Sequence, residues 1–157
     1  MQELVLFLKQ RGLKISVAES CTGGLFMSEL TSVPGASEVF TCGFVTYSDA
    51  SKFRILGVNP HTLVVHGAVS AETVSEMLEG LLAQTDADIV CAVSGIAGPA
   101  GGSAEKPAGT VYAGFCIRGR SFDKIERFNF AGDRDQIRRA AVKEMSGMII
   151  KEIGKVY

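Results

Sequence analysis

Seven consecutive residues, Ala18-Glu19-Ser20-Cys21-Thr22-Gly23-Gly24, combine the residue types that acyl-transfer chemistry uses. Ser20 and Cys21 are potential nucleophiles, and Thr22 is a helix-capping hydroxyl. Gly23 and Gly24 remove side chains where another group must approach the backbone. An apolar run, Leu13 to Val17, precedes them, and an amphipathic run, Leu25 to Leu30, follows. The pattern predicts a strand, a tight turn and a helix start capped by Thr22. Free N–H groups and partial positive charge at such a start suit a phosphate or a developing oxyanion.

A serine attacks only when a base takes its proton. The two histidines, His61 and His66, fall in or at the end of a short helical segment, away from any serine motif. A Ser–His–Asp triad is therefore disfavoured. Lysine serves instead when burial or neighbouring cations keep it neutral. Lys52 follows a second strand beside Tyr47, whose hydroxyl can relay a proton or hold the amine. Cys21 rivals Ser20, but only the helix start would lower its pKa. Glu19 either orients a polar partner or is a loop carboxylate. Arg134 sits just after the expected helix cap Asp133, where a cation meets the wrong end of the helix dipole. A bound anion would reverse that penalty; pairing with Asp133 or Asp135 is the plainer alternative.

Other motifs fail on their context. Tyr47 and Lys52 are too far apart for a Tyr-x-x-x-Lys pair, and no Gly-x-Gly-x-x-Gly fingerprint occurs. Ser103-Ala104-Glu105-Lys106 has Ser-x-x-Lys spacing, but glycines before it and Pro107 after it exclude the helix that chemistry needs. The glycine-rich stretch Gly95 to Gly102 lacks the Gly-Lys-Ser/Thr ending of a P-loop. It can still wrap a ligand through its N–H groups.

Regular elements must bring these residues together. Glu3 to Gln10 has helical spacing. Leu13 to Ala18, Val39 to Tyr47 and Asp88 to Ser94 have strand character. Lys52 to Leu56 forms one helical turn stopped by Gly57, and Asn59-Pro60 opens a short helix through Val65. Ser70 caps the clearest helix, with Val74, Met77, Leu78, Leu81 and Leu82 on one face. Thr110 to Ile117 and Phe122 to Phe130 form an antiparallel hairpin. A last helix buries Ile137, Ala141, Met145, Met148 and Ile149. The expected fold is α/β, a three-layer α/β/α sandwich with a mixed, partly antiparallel sheet, forming one domain over residues 1–157. Ligands gather at the carboxyl ends of strands in such sheets, where Ser20, Tyr47 and Ser94 all fall.

The 157 residues are 46% hydrophobic and 21% charged, which is globular composition. A net charge of -1 gives no bulk attraction to nucleic acid or anionic membrane. No signal peptide or membrane span is evident. Cys21, Cys42, Cys91 and Cys116 lie far apart, as reduced thiols do in a cytoplasmic protein. With the histidines, they lack the spacing of metal ligands. Met- and Leu-rich helices supply either a core or a homo-oligomer interface, and a homo-oligomer is the expectation.

Six motifs in order place the chain in a known group. Ala18-Glu19-Ser20-Cys21-Thr22-Gly23-Gly24, Val33-Pro34-Gly35-Ala36-Ser37 and Val45-Thr46-Tyr47-Ser48 resemble the CinA C-terminal domain family. So do Gly67-Ala68-Val69-Ser70, Ser94-Gly95-Ile96-Ala97-Gly98-Pro99 and Lys106-Pro107-Ala108-Gly109-Thr110-Val111. The resemblance runs from about residue 3 to the last helix and implies a stand-alone domain. Members of that family include amidohydrolases that act on the carboxamide of nicotinamide mononucleotide, giving nicotinate mononucleotide and ammonia, without metal or cofactor, and the resemblance implies that activity here. The resemblance implies Ser20 as nucleophile, with Lys52 and Tyr47 as activating partners. It implies that Ser37 and Arg134 hold the substrate and that Ser94 stands for a family threonine. Amides at the Cys21–Gly24 helix start, those of Thr22, Gly23 and Gly24 included, would hold the oxyanion, and Arg134 with amides of the glycine-rich loop at Gly95 and Gly98 would bind phosphate. Cys42 and Asp49 depart from the family's usual glycine and asparagine without removing a catalytic group. The alternative is a module that binds a nucleotide or a partner without turnover.

Overall fold

A computed structural model describes residues 1–120 and 123–155. In chain order the elements are α1 (Gln2–Arg11), β1 (Ile15–Glu19), α2 (Leu25–Thr31), a 3-10 turn (Ala36–Glu38), β2 (Phe40–Val45) and α3 (Asp49–Leu56). Then come α4 (Pro60–His66), α5 (Ala71–Gln84), β3 (Ile89–Gly95), β4 (Thr110–Ile117), β5 (Asp123–Asn129) and α6 (Arg134–Ile153). The five strands form one sheet in the order β2-β1-β3-β4-β5. β1 runs parallel to β2 and β3, while β4 runs antiparallel to β3 and β5. Helices α1, α2 and α6 group on one face, and α3, α4 and α5 on the other. This is the expected α/β/α sandwich with a mixed sheet.

Burial follows the strand period. Ile15 and Val17 enter the core beneath α1, α2 and α6, whereas Ala18 packs with α5 on the opposite face. The α5 stripe Val74, Met77, Leu78 and Leu81 is fully buried against the sheet. Each such side chain contributes about 2 kcal/mol through burial. Ser70 accepts the Thr73 N–H and caps α5, and Asp133 forms a capping box with Gln136 at α6. Both caps fall where the sequence places them.

Two boundaries near the site differ from expectation. β2 ends at Val45, two residues short of Tyr47. Ser48 to Ser51, which interrupts the strand pattern, is the start of α3 and not a loop. The Ser48 hydroxyl accepts the Ser51 N–H while the Ser51 hydroxyl accepts the Ser48 N–H, so the helix begins a full turn before Lys52. Phe122, where the pattern begins the second hairpin strand, lies outside the described residues.

Candidate active site

Strand alternation separates the two acidic and hydroxyl groups at the end of β1. Glu19 points under α2, and Ser20 turns to the face that carries α3. The Glu19 carboxylate is fully buried and accepts three backbone N–H groups, from Gly24 at 3.0 Å, Phe26 at 3.2 Å and Met27 at 2.9 Å. Glu19, not Thr22, therefore caps α2. Thr22 is buried with its hydroxyl unpartnered among the described residues, because the cap position falls two residues later, at Gly24. Gly23 and Gly24 have φ of 59° and 92°, a left-handed pair that lets the turn reverse so sharply. A Glu19→Ala protein would leave three amides without their acceptor. We expect a loss of about 3 kcal/mol in urea unfolding, with Glu19→Gln losing less.

Capping by Glu19 corrects a second expectation. The Gly24 N–H goes to Glu19 and the Gly23 N–H to the Ser20 carbonyl, at 3.0 Å for each. Neither amide is free for an oxyanion, and Thr22, Gly23 and Gly24 lie behind the pocket wall. The Ser20 carbonyl faces Gly23, so the trans peptide turns the Cys21 N–H the opposite way, beside its own thiol. Cys21 lines the pocket, and its amide is the one at this turn that belongs to a lining residue.

Lys52 reaches Ser20 directly. Its Nζ lies 2.9 Å from Ser20 Oγ and 2.8 Å from the Thr46 carbonyl oxygen. The whole lysine is buried. Burial lowers its pKa from the ordinary lysine value, with Asp49 opposing. Nζ donates to both oxygens; on losing a proton the amine would keep its N–H on Thr46 and turn a lone pair to the Ser20 hydroxyl. Cys21 has the opposite electrostatics: burial pushes its thiol up to about 12. It is a protonated wall residue at neutral pH, which leaves Ser20 as the nucleophile candidate.

The pair opens into a pocket of about 250 Å3 at the carboxyl ends of β1, β2 and β3. Ser20, Tyr47, Lys52, Ser94, Gly95, Gly98 and Arg134 all border it. Ser94 donates to the Ala68 carbonyl at 2.7 Å, leaving its oxygen free to accept. At Gly95 an added Cβ would meet Val111, Thr110 and the Cys21 thiol within 3.0 Å, so only glycine lets β3 pass this close to the turn. Ala68, Val69 and Ile96 complete the apolar wall. Ala68 and Val69 belong to a family motif for which the residues themselves suggest no role.

Two predicted residues behave differently. The Tyr47 hydroxyl is not a bridge between Lys52 and Ser20; it accepts from Arg134 Nη2 at 2.9 Å, and the residue is 59% exposed. Arg134 also donates to the Gly98 carbonyl at 2.9 Å, so it pairs with neither Asp133 nor Asp135. Ser37 is exposed in the 3-10 turn before β2. Because β1 and β2 are parallel, that turn lies at the amino end of the sheet, the edge opposite Ser20. Within one chain Ser37 does not join the pocket.

Among the described residues no group of three His, Cys, Asp or Glu side chains is placed to hold a metal. All four cysteines are free, and no described helix is long and apolar enough to cross a membrane. His66 pairs with Glu72 on the far side of α4, and neither histidine borders the pocket.

Fold and pocket together define an α/β sandwich with a buried serine–lysine pair under a glycine-rich loop. The sequence matches the CinA C-terminal domain over residues 1–153, and the chain belongs to that family. A CinA-like protein of Thermotoga maritima is 50% identical over 151 residues, covering 94% of this chain and 36% of that protein. The chain thus spans just over a third of the curated relatives it matches. The crystal structure of competence damage-inducible protein A from Klebsiella pneumoniae superposes with a TM-score of 0.91 at 38% identity, covering 98% of this chain and 96% of that one. The competence/damage inducible protein CihA from Agrobacterium tumefaciens gives 0.91 at 40% identity, covering 96% and 93%.

Proposed function

We propose that the chain hydrolyses the carboxamide of nicotinamide mononucleotide to nicotinate mononucleotide and ammonia. The observation that carries this reading is the 2.9 Å contact between Lys52 Nζ and Ser20 Oγ in a buried site. Neutral Lys52 takes the Ser20 proton as Oγ bonds to the carboxamide carbon. The Cys21 amide faces the oxygen that becomes negative. Lys52 then returns the proton to the amide nitrogen, the C–N bond breaks and ammonia leaves. Water attacks the ester by the same proton path, releasing the acid and Ser20. The apolar wall at Val69 and Ile96 suits the pyridine ring. Arg134 and the amides of the glycine-rich loop suit the phosphate.

The test is ammonia release from nicotinamide mononucleotide by the purified protein, with nicotinate mononucleotide identified as the product. Steady turnover supports the reading; tight binding of the nucleotide without ammonia favours the silent module. Since the Tyr47 hydroxyl engages Arg134, its role is to aim the guanidinium. We expect Tyr47→Phe to raise KM about threefold and leave kcat within about twofold. A fall of kcat by a hundredfold would restore the proton relay. Assembly into a homo-oligomer is also part of this proposal. The exposed groove of about 310 Å3 lined by Phe53, Leu63 and Val64 is its support, and light scattering measures the mass.

A further inference from the structure

One half-buried cation on the Ser20 turn has no part in the mechanism above. Arg138 lies one helical turn after Arg134 on α6, so both side chains project toward the same edge of the sheet. Its side chain is 27% exposed. It donates to the Thr22 carbonyl from Nη2 at 2.6 Å and from Nε at 3.3 Å. The same carbonyl also accepts the Leu25 N–H at 3.2 Å. Its longer approach to Asp135, 3.8 Å, leaves the Thr22 oxygen as the principal partner.

The Ser20 turn is thus gripped from two sides. Glu19 holds the amides at its far end, and Arg138 holds the carbonyl at its middle. The Thr22–Gly23 peptide is fixed at both poles, because its N–H already binds the Ser20 carbonyl. That bond orients the Ser20–Cys21 peptide, whose N–H lies beside the Cys21 thiol on the pocket lining. Electrostatics add a second effect. At the Cys21 thiol the Glu19 charge disfavours an anion, while the Arg138 charge favours one. An oxyanion forming beside Cys21 would experience both fields.

Resting on the serine–lysine reading of the site, we propose that Arg138 is a positioning residue for Ser20. It locks the turn so that the Cys21 amide faces the tetrahedral oxygen, and its charge offsets Glu19 beneath the same turn. It touches no substrate, so it acts on kcat rather than on KM.

A fluorophosphonate tests this without relying on any particular substrate, because Ser20 Oγ bonds to phosphorus as Lys52 takes its proton, the P–F bond breaks to release fluoride, and the reagent's own phosphonyl oxygen occupies the oxyanion position. Labelling is followed by mass spectrometry of the Ser20 peptide in wild type, Arg138→Ala and Arg138→Lys. We expect the alanine protein to label about 30-fold more slowly and guanidinium ion at tens of millimolar to restore most of the rate. Lysine should recover only part, since it keeps the charge but loses the fork. Arg139→Ala, an exposed neighbour, should label at the wild-type rate. Labelling of Arg138→Ala at the wild-type rate overturns the proposal. So does a slow rate that guanidinium does not rescue, with a thermal midpoint lowered by more than about 5 °C, which marks a purely structural role. If wild type labels in an Arg138-dependent way but releases no ammonia from nicotinamide mononucleotide, the substrate assignment falls and the positioning role stands.

Discussion

Ammonia release from nicotinamide mononucleotide is expected to fall about 10^4-fold or more in a Ser20→Ala protein, with the nucleotide still bound. No neighbour can replace the lost alcohol. Cys21 is adjacent, but burial holds its thiol protonated, with a pKa near 12. Ser94 and Tyr47 also bring hydroxyls to the pocket wall, but the Ser94 proton is committed to the Ala68 carbonyl and the Tyr47 oxygen is held by Arg134. The alanine change removes one oxygen at a residue only 7% exposed, so the thermal midpoint should move by about 2 °C or less. Near-normal ammonia release from this variant would end the covalent mechanism. Binding is measured separately, by calorimetry with the nucleotide, so that lost chemistry is not mistaken for lost affinity.

Lys52 carries the second large expectation. Lys52→Arg fixes a permanent positive charge at the site and removes the base, because a guanidinium cannot give up its proton in this pH range. We expect kcat to fall about 10^3-fold. Lys52→Met should fall at least as far yet make the protein more stable near neutral pH, by about 2–4 °C in midpoint. The sign follows from linkage. In the folded state the Lys52 pKa lies below the unfolded value of 10.5, mainly through burial. Between those two values the unfolded chain holds the extra proton, so stability rises with pH across that window. Below the folded pKa the cost of burying the ammonium is complete. Lys52→Met removes that slope, which urea titrations at several pH values would detect. The same ionisation should give the rising limb of kcat/KM in the wild type. A Lys52→Arg protein with wild-type turnover would show that the amine's charge, not its lone pair, is what the site requires.

Much of this was legible in the sequence because it is written in local patterns. The caps Ser70 and Asp133, the α5 stripe and the hairpin strand β4 depend on residues a few positions apart, and each lies where expected. The convergence of Ser20, Lys52, Ser94 and Arg134 on one pocket follows from strand ends sharing an edge. Other features depend on pairings that a linear pattern does not encode. Thr22 has the right type for a cap, but Glu19, five residues before Gly24, reaches the amides first. The direction of the Tyr47 hydroxyl is set by Arg134, 87 residues away. Ser37 belongs to a family motif, yet a motif does not say at which end of its strand a residue falls. Arg138 could have been found from its four-residue spacing to Arg134, but nothing nearby in sequence marked Thr22 as its target.

Where the working groups lie along the chain bears on when they can operate. Ser20 and Lys52 come from the first third of the polypeptide, whereas Arg134 and Arg138 belong to the closing helix. A ribosome therefore completes the alcohol and amine long before it supplies the cations beside them. A chain cut before residue 134 would carry the reactive pair with neither its anion clamp nor its brace. Newly made protein should stay silent until α6 has docked.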